Sequence, residues 1–134
     1  MVSIFVDSNV ILDVFTNDPV WEPWSSKAVR MAADRGRLVI NAIVFAEISV
    51  HFELIEEVDE ALSSAYEREA IPFEAAFLAG KAFSRYRRRG GSKTSPLSDF
   101  FIGAHAAVKG YELLTRDVAH YKSYFPKLRL IAPD

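Results

Sequence analysis

The chain of 134 residues contains no cysteine. Disulfides are therefore excluded, and so is any metal site built on thiolates. It has no run of about 18 apolar residues, so no membrane-spanning helix is expected. The first residues lack a basic stretch, and Asp7 and Asp13 interrupt their apolar character too early for a secretory leader. A basic excess is missing as well. Sixteen Lys and Arg face eighteen Asp and Glu, for a formal net charge of −2. A nucleic-acid partner would have to meet clustered cations rather than a basic average. No repeat, low-complexity tract or Pro/Gly/Ser linker divides the sequence. The length suits one domain with one core over residues 1–134.

What is present alternates. Apolar runs of strand length are followed by longer helix-like segments. Strands are expected at residues 2–6, 38–40, 70–73, 112–115 and 128–131. Helices are expected from residue 10, after Ser25 or Ser26 to about 35, at 42–55 behind an Asn41 cap, near 59–68, at 74–89, from Ser95-Pro96 to Gly110, and at 118–124. Residues 17–24 read as a loop. Alternation of this kind implies a parallel sheet with helices on both faces. Ligands of such sheets bind beyond the carboxyl ends of the strands, near the switch in strand order.

Four carboxylates stand where apolar residues would be expected. Asp7 follows the first strand in "SIFVDSNVILDVF". Asp117 follows another in "ELLTRD". Either can be explained as a helix N-cap. Glu47, in "NAIVFAEISVHF", shares a helical face with Ile43, Val44, Val50 and His51. A salt bridge or an edge position would explain it. Asp99, in "SPLSDFFIGAHAAVKG", falls in a first turn, where the helix dipole favours an acid. The rest of that helix is apolar nearly all round. Each explanation is adequate singly. All four acids, however, can be placed at one edge of the sheet. Gathered there they would either protonate or hold divalent cations, and oxygen ligands without thiolates favour Mg²⁺ or Mn²⁺.

The segments "FVDSNVILD", "NAIVFAEIS", "LSDFFIGAHA" and "LLTRDVAHYKSYFP" together resemble a PIN-domain ribonuclease, most of all the VapC-type toxin of toxin–antitoxin pairs. The likeness covers nearly the whole chain in order and spacing. It implies an α/β, PIN-like three-layer sandwich with a mostly parallel sheet of four to five strands. It implies that Asp7, Glu47, Asp99 and Asp117 are the catalytic and metal-binding acids, supported by Ser8, Asn9 and Thr115. It further implies a cytoplasmic, Mg²⁺-dependent endoribonuclease with an RNA substrate and a cognate antitoxin, working as a homodimer. Asn41 stands where the family often has Ser or Thr, and Ala119 where some members carry another acid.

Other features have two explanations each. "RYRRRGGSK" places Arg87, Arg88, Arg89 and Lys93 after the helix that precedes Asp99, either as a solvated helix end or as a phosphate-gripping rim. Tyr86 could add base stacking. Arg116, between Thr115 and Asp117, is a further RNA-binding candidate. His51, His105 and His120 read as packing or surface residues. Trp21 and Trp24 either close over the core or belong to a partner surface. Phe45, Ile48, Phe52, Leu62 and Tyr66 offer a groove to an antitoxin helix, unless they fill the core or a homodimer interface. Two other functions compete. One is a catalytically silent RNA- or protein-binding module on the same fold. The other is a phosphatase of the haloacid dehalogenase type, which wants Asp rather than Asn at position 9.

Overall fold

A computed structural model describes residues 2–91 and 96–134. Five parallel strands form one sheet: β1 (Val2–Val6), β2 (Gly36–Ile40), β3 (Tyr66–Arg68), β4 (Glu112–Leu114) and β5 (Leu130–Ile131). Their order is β3-β2-β1-β4-β5. The chain winds outward from β1 to β3, then returns to β1's other side with β4. The switch therefore lies between β1 and β4, where Val6 is in register with Leu114.

Seven α-helices connect the strands among the described residues. These are α1 (Ser8–Phe15), α2 (Glu22–Arg35), α3 (Ala42–Ser49), α4 (Ile55–Leu62), α5 (Phe73–Arg88), α6 (Pro96–Lys109) and α7 (Val118–Tyr124). Successive residues of a strand point to opposite faces. Ile4, Phe5 and Val6 are all fully buried, as are Val39 and Ile40 and the pair Leu113 and Leu114. Both faces of the central strands are thus covered, and the three-layer α/β arrangement holds. Among the described residues no helix is long and apolar enough to cross a membrane.

Several boundaries differ from the sequence reading, each for a local reason. Helix α1 starts at Ser8 rather than at residue 10, because Asp7 is extended and takes the cap position. Helix α2 starts at Glu22 rather than after Ser25. The Asp18 carboxylate accepts from the amides of Val20 and Trp21, both at 2.9 Å, and turns the chain into the helix early. Helix α3 does begin behind Asn41, whose side-chain oxygen accepts from the amides of Ile43 and Val44. It stops at Ser49, six residues short of expectation. A new helix starts at Ile55, where the Glu57 carboxylate reaches back to the amide of Leu54 at 2.9 Å. A leucine at the cap position hid that start. With α4 ending at Leu62, the third strand comes at Tyr66–Arg68 instead of 70–73.

Glycine matters most on α6. A Cβ at Gly103 would lie 2.6 Å from the Phe125 ring and 3.1 Å from Tyr121. Its absence lets α6 lie against α7. Gly110 then ends α6 in the left-handed region, at φ 72°.

Candidate active site

Asp7 leaves the end of β1 and hangs on β4 by its own amide, which donates to the Leu114 carbonyl at 2.9 Å. It occupies the cap position of α1, yet its side chain caps nothing. The carboxylate turns instead toward the switch point. Its Oδ2 accepts from the Thr115 hydroxyl at 2.8 Å and the Tyr121 hydroxyl at 3.0 Å, with a longer contact from Asn9 Nδ2 at 3.5 Å. Asp117 repeats the pattern after β4. It too sits at a cap position without a side-chain cap bond, and its amide donates to Thr115 Oγ1 at 3.0 Å.

Glu47 is held from two sides. Ser8 Oγ donates to its Oε1 at 2.8 Å, and Ser98 Oγ to its Oε2 at 3.4 Å. Among the described residues it has no ion pair. Ser98 precedes Asp99, whose Oδ2 lies 3.9 Å from His120 Nε2. His120 in turn stacks on Phe100, with ring centroids 5.0 Å apart. The contacts close a ring from Asp7 through Ser8 to Glu47, through Ser98 to Asp99, and through α7 back to Asp7.

The electrostatics agree with that ring. Asp7 is 3% exposed, and its carboxyl is pushed up to about 6. Burial is the main cause, and the nearby charge of Glu47 adds to it. The hydroxyls of Thr115 and Tyr121 oppose the rise by donating to the charged form. Tyr121 is held well above the ordinary phenol range, first by burial and then by the charge of Asp7, with Asp99 and Asp117 contributing. It therefore stays a hydrogen-bond donor. Among the described residues no three acidic or histidine side chains converge tightly enough to form a ready-made metal cage. Carboxylates drawn closer there would repel one another. Two bare charges about 4 Å apart cost roughly 4 kcal/mol at an effective dielectric near 20. The donor set still fits a hard divalent cation. Mg²⁺ needs only one or two carboxylates, with waters completing its shell, and oxygen donors are what stand here.

The remaining candidates divide. Asn9 Oδ1 accepts from the amide of Arg116 at 3.4 Å, so it ties the two post-strand turns together. Arg116 itself is committed elsewhere. Its guanidinium grips both oxygens of buried Asp13, at 2.6 and 2.9 Å, and lies 4.8 Å over the Trp21 ring. Ser25 completes Asp13 at 2.6 Å. Arg87, Arg88 and Arg89 are exposed at the end of α5. Arg89 lies 5.3 Å over Tyr124 and so reaches α7. Lys93 falls outside the described residues. Tyr86 packs among Phe83, Phe100 and Tyr124. His51 is exposed, whereas His105 is fully buried between Asn41 and Glu69. Ile48 and Leu62 are fully buried in the core and cannot line a groove. The apolar groups actually exposed there are Val50, Leu54 and Ile55.

Sequence reasoning missed Tyr121, Asp13 and Ser98. Tyr121 had a signal: it lies four residues after Asp117, on the same helical face. Asp13 had none, because its partner is 103 residues away.

Comparison with known proteins gives the family and the fold. The PIN domain family model matches residues 4–125. The fold is similar to VapBC2 from Rickettsia felis, solved bound to a promoter DNA fragment, with a TM-score of 0.74, 19% identity, and coverage of 98% of this chain and 99% of that one. DNA-bound VapBC from Salmonella typhimurium gives a TM-score of 0.71 at 21% identity, covering 98% of each chain. VapC20 of Mycobacterium tuberculosis, a sarcin–ricin-loop-cleaving toxin, gives 0.64 at 17% identity, covering 94% of this chain and 98% of that one. Among curated proteins nothing matches. The chain belongs to the PIN-domain family and has the fold of the VapC-type toxins.

Proposed function

We propose that this chain is a single-domain, metal-dependent endoribonuclease that hydrolyses RNA phosphodiesters, acting as the toxin of a toxin–antitoxin pair. The observation that carries the reading is the behaviour of Asp7 and Asp117. Both occupy helix-cap positions beyond the two strands that flank the switch, and neither side chain caps. A purely structural acid would take those amide bonds. A silent binding module would have no use for a carboxylate buried at such cost.

Asp7, Glu47, Asp99 and Asp117 would hold Mg²⁺ or Mn²⁺. When bound, the ion would acidify a water nucleophile and offset the charge gathering on the phosphodiester. The chain's own groups do the rest. Thr115 and Tyr121 fix Asp7 Oδ2, and the Ser8 amide also bonds the carboxylate. Ser8 and Ser98 orient Glu47. Asn9 holds the Arg116 turn, and through it Asp117. Arg87, Arg88, Arg89 and Lys93 supply sequence-independent phosphate contacts. The enzyme works in the cytoplasm, as a homodimer, and is silenced by a cognate antitoxin. An Arg or Lys from that partner would pair with the acids and compete with metal and phosphate together.

The test is incubation of the purified chain with total RNA, with Mg²⁺ and then with excess EDTA, followed by mapping of cut ends. Discrete cuts that EDTA abolishes are expected. Undiminished cutting in chelator would remove the metal mechanism, and no cutting under any metal would favour the silent module.

A further inference from the structure

Charge along the chain is strongly segregated. Residues 75–98 contain six Lys and Arg and no acid, and residues 118–133 contain three more and no acid. The rest of the chain holds seven cations against all eighteen acids. The two basic segments touch. Arg85 donates to the Tyr124 carbonyl at 3.4 Å, and Arg89 lies over the Tyr124 ring. Below that contact is a hollow of about 610 Å³, lined in part by Arg85, Tyr111, Tyr124, Phe125, Lys127 and Arg129. No acid lines it. Glu69, which reaches the lining residue Tyr111, is already taken by that hydroxyl at 2.8 Å and by His105. Lys127 and Arg129 are exposed and form no ion pair among the described residues.

The hollow lies at the start of β4, so it opens at the opposite end of the sheet from the acids. Helix α7 joins the two ends. Its seven residues span roughly 10 Å. That is about three nucleotides at a stacked rise of about 3.4 Å. Cations would hold phosphates there, and the tyrosine and phenylalanine rings offer faces on which bases stack.

From this arrangement we infer that the α5–α7 face and its hollow form an RNA exosite, which holds the substrate strand several nucleotides away from the cut. The inference rests on the nuclease reading but adds a second, separate contact. RNA is favoured over an acidic peptide because the basic face runs on from the acids through Arg89 and carries aromatic faces.

The experiment uses the full chain and the double variant Lys127→Glu/Arg129→Glu, whose two exposed side chains form no ion pair among the described residues. Binding of a mixed-sequence single-stranded RNA 20-mer is followed by fluorescence anisotropy in EDTA across a salt series. Cleavage of the 20-mer and of a tetranucleotide is followed in Mg²⁺. For the 20-mer, Kd and KM should rise at least about fivefold with kcat unchanged, and the salt slope should flatten by about one unit or more. Tetranucleotide cleavage should not change. Equal losses on both lengths, a fall in kcat, or an unchanged salt slope would overturn the exosite. Unchanged RNA binding with lost binding of a glutamate 20-mer would overturn it in favour of an acidic protein segment. If the wild type cuts no RNA, the nuclease reading fails, yet the anisotropy series still decides the exosite.

Discussion

The Thr115 hydroxyl donates to Asp7 Oδ2 at 2.8 Å while accepting the amide of Asp117 at 3.0 Å. One buried side chain thus sets the positions of two acids from adjacent strands. Replacing it with valine keeps the shape and removes both bonds. Hydrogen bonds to charged groups are worth about 1.5–3 kcal/mol, so Thr115→Val should lose about that much stability in urea unfolding. RNA cleavage should fall with it. A variant of unchanged stability and activity would mean that Thr115 merely fills space.

Asp7 makes folding sensitive to pH. Its carboxyl is pushed up to about 6 in the folded chain, from 3.8 ordinarily, chiefly by burial. The folded state therefore binds this proton more tightly than the unfolded state. Stability from this group is fully present below about pH 3.8 and is lost as pH rises through about 6. The loss approaches 3 kcal/mol, to order of magnitude. Metal-free Asp7→Asn should lack that segment of the pH–stability curve and be more stable than wild type at pH 7. A wild-type curve that rises between pH 4 and 7, with no gain in Asp7→Asn, would contradict the buried, strained carboxylate.

Arg116 should behave as a structural residue. Its loss leaves Asp13 buried and unpaired, at about 3–5 kcal/mol. Arg116→Ala should therefore melt far below wild type. Arg116→Lys should recover little, because a single ammonium cannot match the two-pronged grip or the stacking on Trp21. A stable Arg116→Ala with weaker RNA binding and a flatter salt slope would return the residue to the RNA-binding group.

Tyr121 is a positioning residue. Tyr121→Phe keeps the ring and removes one of the hydroxyls that favour ionised Asp7. The carboxyl should rise further, so the acidic limb of the cleavage–pH profile should move to higher pH. An unmoved limb would show that the hydroxyl is a bystander.

Much of the fold was legible in the sequence because local signals and tertiary demands agreed. Ile4 to Val6 read as a doubly buried strand and are one, and Asn41 read as a cap and caps. The errors lie where a residue was used out of type. Leu54 starts a helix without a capping side chain of its own, and Ser25, which looked like a cap, was needed by Asp13. The four acids could be picked out, because a carboxylate among apolar neighbours is costly and conspicuous. Ser8, Asn9 and Thr115 could be named beside them, but Tyr121 and Ser98 could not. Tyr121 drew no reading and Arg116 read as an RNA contact, because both find partners more than 100 residues away.

Metal-dependent thermal stability tests most directly whether these acids form a cation site. Melting of the wild type and of Asp7→Asn is measured across a Mn²⁺ or Mg²⁺ titration at pH 7.5 or so. A ligand that binds only the folded state raises stability with concentration. The wild type should start lower and climb with metal, while Asp7→Asn should start higher and stay flat. Identical climbs in both proteins, or none in either, would contradict the assignment of Asp7 as a metal-binding acid.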